Sequence, residues 1–208
     1  MDDPFLELRQ SMVERQLRLR GIRDQAVLTA MGKVPRELFI AEGLRESSYM
    51  DGPLPIDCRQ TISQPYIVAY MTELLELNGA ESVLEIGTGS GYQAAILAET
   101  AARVYTVEKI PELSAAAEDL LGERLGYRNI FFRVGRGQEG WPEFAPFDRI
   151  LLTAAPAEFP HGLLEQLAAG GIAIAPVGVG EQRLVRYAKQ DGAVSVKDGI
   201  GVIFVPLV

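Results

Sequence analysis

Cysteine occurs once in this sequence, at Cys58, and histidine once, at His161. A lone cysteine excludes an internal disulfide. Together the two residues exclude zinc sites of the Cys/His kind, a CxxC redox motif and a Cys/His catalytic pair drawn from several candidates, so no metal is expected. Positive charge is the scarcer sign: 20 Lys and Arg stand against 28 Asp and Glu, a formal net charge of -8. That balance argues against sequence-independent binding to a nucleic-acid backbone. The first residues form neither a basic n-region nor an apolar h-region, and no apolar run is long enough to span a bilayer. A soluble, cytoplasmic protein with no membrane or nucleic-acid partner is expected. Hydrophobic residues nevertheless make up 48% of the 208, and a chain of this size buries roughly 70% of its unfolded surface without staples. One domain over 1–208 and a monomer are the expectation.

The chain divides in texture near residue 65. Residues 4–50 carry Phe5, Leu8, Met12 and Leu19 on one side of a 3.6-residue period, which predicts helices, punctuated at Gly21, at Gly32 to Pro35 and at Gly43. From Met50 to Pro65 the prolines at 53, 55 and 65 resist regular structure, leaving a linker or a working loop. Residues 1–65 are thus a helical layer with a loop. From 66 onward helical and strand-like segments alternate at the lengths of βα units. Helices are predicted at 67–77, 92–99, 112–125 and 162–168, and strands at 82–86, 103–107, 130–134, 149–153 and 171–177. Asp191 and Gly192 form the turn of a hairpin between 184–189 and 193–197, followed by a last strand at 202–206. The sum is an α/β, Rossmann-like fold: a mostly parallel central sheet with helices on both faces and antiparallel C-terminal strands.

Gly87, Thr88, Gly89, Ser90 and Gly91 run from a strand into a helix, the context that makes a glycine-rich turn a binding element. A dinucleotide fingerprint has the spacing GxGxxG. Here the pattern is GxGxG, with Tyr92 where the third dinucleotide glycine would fall, which disfavours a nicotinamide-dependent dehydrogenase. Glu85 precedes the first glycine and suits a cationic ligand better than a pyrophosphate. Glu108 closes the next strand, where an acid can accept hydrogen bonds from both hydroxyls of a ribose. Each glutamate alone reads equally well as an ordinary strand-end charge. Together with GxGxG they look like the S-adenosylmethionine site of class I methyltransferases.

A narrower resemblance follows. Pro55, Ile56 and the run Gln60, Thr61, Ile62, Ser63, Gln64, Pro65 resemble the signature loop of protein-L-isoaspartate O-methyltransferases. Val34 to Arg36, Val83 to Ala98, Phe147 to Pro156, Gly170 to Gly178 and Phe204 to Leu207 resemble that family in the same order and spacing. The resemblance implies methyl transfer from S-adenosylmethionine to the α-carboxylate of L-isoaspartyl residues in damaged proteins or peptides. The resulting ester closes to a succinimide that partly hydrolyses to aspartate. It also implies Ser63 as the active-site serine, beside Thr61 and Ile62 in the loop that covers the reacting groups; Arg59 of the same loop is expected to bind substrate as well. A hydrogen bond to the carboxylate or the cofactor is the expected role of Ser63, since no acid/base partner for a covalent serine is evident. The alternative is a local turn in which the serine hydroxyl bonds its own backbone. Implied cofactor contacts are Glu85, Gly87, Thr88, Gly89, Ser90, Gly91, Glu108, Lys109 and the loop Gly135, Arg136, Gly137.

Two departures stand out. The family usually has glycine where this chain has Asp57 and Arg59, and a left-handed backbone at either position would cost about 1 to 2 kcal/mol. It usually has an acid at the position of Arg136, accepting from the adenine amino group. Arginine has no acceptor, so Arg136 would stack on the adenine or Gln138 would accept in its place. Two arginines facing one pocket make it more positive. That leaves three alternatives: retained repair activity, a divergent carboxyl methyltransferase acting on a dedicated peptide or other acidic substrate, and a ligand-binding homologue with weakened catalysis. Cys58 reads as inert filler, His161 as a surface or capping residue, and Trp141 as an anchor for the loop after Gly137.

Overall fold

The structure is a computed structural model and describes residues 3–207. The N-terminal layer begins with α1, Leu6–Ser11, which runs on through a wide turn, Met12–Leu17, and a tight one, Arg18–Arg20. Gly21, at φ +101°, stops it in the left-handed conformation that glycine adopts without penalty. Asp24 caps α2, Gln25–Lys33, by accepting from Ala26 N and Val27 N at 2.8 and 3.1 Å. Gly32 does not interrupt α2, because the break comes at Val34, held extended by the following Pro35. Gly43 likewise lies inside the short helical turn Glu42–Ser47.

The stretch around the prolines is more ordered than composition suggests. Leu54–Pro55 (β1) pairs antiparallel with Thr61–Ile62 (β2), enclosing the turn Asp57–Arg59. Pro65 opens α3, Pro65–Leu74, at the first helical position, where a missing N–H costs nothing. The α/β units follow: β3 Ser82–Ile86, α4 Tyr92–Thr100, β4 Arg103–Glu108, α5 Pro111–Glu118 with the added turn Asp119–Arg124, β5 Ile130–Val134, β6 Phe147–Leu152, α6 His161–Glu165 and β7 Leu167–Val177. β8 Gln182–Gln190 and β9 Ala193–Val202 form the final hairpin, its turn made by Asp191 and Gly192, both at positive φ.

The sheet order is β5-β4-β3-β6-β7-β8-β9, parallel from β5 to β7 and antiparallel thereafter. β3 is central and its side chains alternate between two buried layers. Val83 joins Leu97 and Val104, while Leu84 and Ile86 join Val107, Phe147 and Ile150. A third apolar layer joins the N-terminal helices to α4 through Leu17, Leu28, Met31, Tyr92 and Ala95. The chain leaves β3 towards β4 and later returns to its other side at β6, so a crevice opens beyond the carboxyl ends of β3 and β6.

One predicted element is absent. Beyond Val202 the chain does not pair as a strand, because Pro206 has no N–H to donate and the Gln182 side chain occupies the Phe204 backbone, donating to its carbonyl (3.0 Å) and accepting from its N–H (2.6 Å). The tail instead crosses the end of β6, where Ala155 N donates to Val205 O and Leu207 N to Ala155 O, both at 2.8 Å. Boundaries also shift: the strand expected at 149–153 is Phe147–Leu152, and the helix expected at 162–168 ends at Glu165, since Leu167 already belongs to β7.

Candidate functional site

The crevice holds a cavity of about 410 Å³, within the range of small-ligand sites. Its floor is the turn between β3 and α4. Gly87 sits at φ +99°, and a Cβ there would stand 2.5 Å from Thr153 Oγ1. Gly89, at φ +52°, has only Ile56 Cδ1 near the same position, at 3.9 Å. One glycine is required by packing; the other leaves a bare backbone that a ligand can approach.

Glu108 closes the wall. Its Oε2 accepts from Gly89 N at 2.9 Å and its Oε1 from Ile110 N at 3.0 Å, so this 7%-exposed carboxylate fastens the glycine turn to the end of β4. A carboxylate offers about four lone-pair sites, which leaves acceptors for a ligand's hydroxyls. Thr88, Ser90 and Lys109 also line the cavity, as does Gly137 from the loop after β5.

On the opposite side stands the β1–β2 hairpin. Arg59, Thr61, Ile62 and Ser63 line the cavity. The left-handed strain falls on Cys58 (φ +55°) and Arg59 (φ +58°), not on Asp57. The Ser63 carbonyl accepts from Arg36 Nη2 at 2.8 Å. Its hydroxyl is engaged by no other described residue, so the local serine turn does not form. A second hollow of about 680 Å³ adjoins the first and shares Thr61, Ser63, Thr153 and Val205 with it. Ser63 therefore stands where the two meet.

Four of the implied cofactor contacts do not line the cavity. Glu85 lies beneath its floor at 0% exposure, where Thr106 Oγ1 donates to its Oε2 at 2.6 Å and Thr88 Oγ1 lies 2.6 Å from Thr106 Oγ1. It pairs with Thr106 in the sheet register, in the layer of Val83, and is not a solvated strand-end charge. Burial pushes its carboxyl up to about 8, the Thr106 hydrogen bond opposing and the Glu108 charge reinforcing the shift. Gly91, at φ +85°, starts α4 against Leu121 and Ala117. Gly135 sits against the Arg133 side chain. Arg136 points outward, its side chain 72% exposed and 3.9 Å from Glu139, because close packing of Gly137 against Ile86 and Leu207 turns the preceding residue away. Only Arg59 of the two arginines reaches the pocket. Gln138 keeps a buried Oε1 without a partner. Cys58 and His161 are exposed, and His161, 84% exposed on α6, has Glu165 for a neighbour at 3.5 Å. Trp141 packs edge-on against Tyr105 and Phe144 and anchors its loop.

The Glu85 shift has a measurable consequence. A carboxyl that is neutral in the fold and ionised near its ordinary pKa when unfolded stabilises the fold fully below about 4.5; that contribution is lost as pH rises through about 8. Urea melts at pH 5 and pH 8 are expected to show the native chain losing roughly 1 kcal/mol per pH unit more than Glu85→Gln across that window. Equal slopes would contradict a neutral Glu85.

Gln93, Thr153 and Val205 to Leu207 line the cavity although none of them was expected as a cofactor or substrate contact. Thr153 follows β6 and donates its N–H (2.9 Å) and hydroxyl (3.0 Å) to Ile86 O, closing the floor from the far side.

A family model described as protein-L-isoaspartate(D-aspartate) O-methyltransferase matches residues 8–208. A protein-L-isoaspartate O-methyltransferase of Picosynechococcus is 53% identical over 205 residues, covering 99% of this chain and 92% of the relative. A solved structure of a protein-L-isoaspartate O-methyltransferase superposes with a TM-score of 0.88 at 28% identity, over 95% of this chain and 65% of that longer one. A Plasmodium falciparum chain assigned to the same enzyme, solved in complex with S-adenosyl-L-homocysteine, gives a TM-score of 0.82 at 25% identity, over 96% of this chain and 98% of that one. The mostly parallel sheet with its antiparallel end is the class I methyltransferase fold.

Proposed function

The chain belongs to the protein-L-isoaspartate(D-aspartate) O-methyltransferase family, and we propose on that basis that its two adjoining hollows bring S-adenosylmethionine and an isoaspartyl peptide together at Ser63. The protein is an S-adenosylmethionine-dependent methyltransferase of L-isoaspartyl residues in proteins. The observation that carries the residue-level reading is the place of Ser63 on the wall common to both hollows.

The residues of the smaller cavity fit the cofactor. The bare backbone at Gly89 admits a close-lying ligand, Glu108 keeps free acceptor sites for a ribose, and Tyr92 stands where a dinucleotide fingerprint has its third glycine. When bound, S-adenosylmethionine supplies a methyl group on a sulfonium sulfur. Gly87 to Ser90, Glu108, Lys109 and Gly137 would hold it, and Thr61, Ile62 and Ser63 would face the reacting end. Isoaspartyl peptide would lie in the larger hollow, beside Ile67, Arg183 and Ile203.

The α-carboxylate of the substrate is ionised at neutral pH and needs no base, in keeping with a cavity lined by no histidine. The site must orient and desolvate the reacting groups. Ser63 donates its hydroxyl to the carboxylate oxygen that does not react, fixing the other. Methylation of an isoaspartyl peptide, but not of its aspartyl twin of the same sequence, tests this reading. Equal labelling of both, or of neither, would contradict it.

Arg59 adds a cation at the rim that is paired to no acid among the described residues. We assign it to acidic side chains near the isoaspartyl residue. Arg59→Gly relieves a left-handed strain of about 1 to 2 kcal/mol, partly offset by unfolded-state entropy, so stability should rise by up to about 1 kcal/mol. The same change is expected to raise KM about 3- to 10-fold for isoaspartyl peptides with acidic neighbours and to leave neutral ones unchanged, an effect that fades at high salt. Equal KM changes for both peptides would remove the assignment.

A further inference from the structure

Arg36 is fully buried, at 0% exposure. No carboxylate lies within ion-pairing distance of it among the described residues, since its neighbour Glu37 is taken by Arg9 at 3.0 Å and by the Tyr49 hydroxyl. Neutral groups surround the guanidinium instead. Nε donates to Ser48 O at 2.7 Å, Nη2 donates to Ser63 O at 2.8 Å, and Cζ lies over the Tyr92 ring, 4.8 Å from its centroid. Nη1 is buried without a partner. Burial lowers the pKa of the group, opposed by the neighbouring tyrosines, but a guanidinium remains charged at any working pH.

A buried cation without a counter-ion is destabilising. A tie between two carbonyls alone does not require one, because a neutral donor makes the same bonds at lower desolvation cost. The placement of the charge gives the reason for it. Ser63 and Tyr92, the two residues that the guanidinium touches on this side, both line the reaction cavity. Ser48, on its other side, belongs to the N-terminal layer.

Resting on the methyltransferase reading, we infer that Arg36 is a positioning residue for the carboxyl acceptor: it clamps the Ser63 turn from behind, and its uncompensated charge favours the substrate carboxylate arriving on the turn's other face. Geometry and charge are then separable. Lysine keeps the charge but lacks the planar fork that reaches two carbonyls at once. Glutamine keeps donors and loses the charge.

The test uses the full chain, with Arg36→Lys and Arg36→Gln compared in kcat, KM for isoaspartyl peptide, S-adenosylhomocysteine affinity and thermal melting. Folded Arg36→Lys is expected to lose about 10-fold or more in kcat with KM close to native. Folded Arg36→Gln should raise peptide KM about 10-fold or more, and in both variants S-adenosylhomocysteine affinity should stay within about threefold. Peptide kcat and KM within twofold of native in both, or a loss of cofactor affinity parallel to the loss of turnover, would overturn the inference. Should neither variant fold, the Arg36 Nε–H resonance of the native chain decides: it should shift when isoaspartyl peptide is added to the S-adenosylhomocysteine complex, and an unmoved signal overturns the inference. A native chain inactive on the peptide would remove the methyltransferase reading together with this one; an active native chain with unaffected variants would remove the role of Arg36 alone.

Discussion

Replacing Ser63 by alanine is expected to cut methyl transfer to an isoaspartyl peptide about 10- to 100-fold while S-adenosylhomocysteine affinity stays within about threefold. The size follows from one hydrogen bond to a charged group, worth roughly 1.5 to 3 kcal/mol. The selectivity follows from position. Ser63 stands at the junction of the two hollows, its carbonyl held by Arg36 and its hydroxyl unclaimed by the protein. The main chain of the turn does not depend on the hydroxyl, so the alanine variant should melt close to the native chain. Initial rates at saturating cofactor, with a parallel calorimetric titration, measure both arms. Native turnover in the variant would remove Ser63 from the reaction; a matching loss of cofactor affinity would move its role from acceptor to cofactor.

Glu108→Ala should have the opposite signature. The native carboxylate accepts from Gly89 N and Ile110 N, so its removal leaves two backbone donors without their partner and takes away the acceptors for a ribose. Charge-assisted bonds of this kind contribute roughly 1.5 to 3 kcal/mol each. S-adenosylhomocysteine affinity is therefore expected to fall more than about 100-fold, with a lower melting temperature from the loosened glycine turn. Glu108→Gln keeps one acceptor oxygen and should fall between the two. Calorimetry showing the alanine variant within about threefold of native would separate Glu108 from the cofactor altogether.

What could be read in the sequence was local. The strand Ser82–Ile86, the glycine turn and the start of α4 are consecutive, and their chemistry survives without knowledge of the rest of the chain. Glu108 was legible because the βα spacing puts it at the end of the adjacent parallel strand. Thr153 and the Val205 to Leu207 tail were not, because β6 must first return to the far side of β3 and the tail must lie across Ala155 before either reaches the cavity. Arg136 fell on the wrong side for a related reason. The orientation of its loop is set by how closely Gly137 packs on Ile86, a contact between residues 51 positions apart. Glu85 shows the limit of reading charge as exposure. Its register partner Thr106 supplies a buried hydroxyl, and two neighbouring layers seal it from water. Arg59 shows the reverse: the arginine at a position where glycine was expected stands in the left-handed region, and its neighbour Cys58 shares that backbone while Asp57 does not.

A crystal of the native chain grown with S-adenosylhomocysteine and an isoaspartyl peptide is expected to show ribose oxygens on Glu108, the homocysteine sulfur facing the junction of the two hollows, and the peptide's α-carboxylate there with one oxygen on the Ser63 hydroxyl. Nucleoside density away from the glycine turn, or a carboxylate bound with Ser63 turned aside, would contradict it.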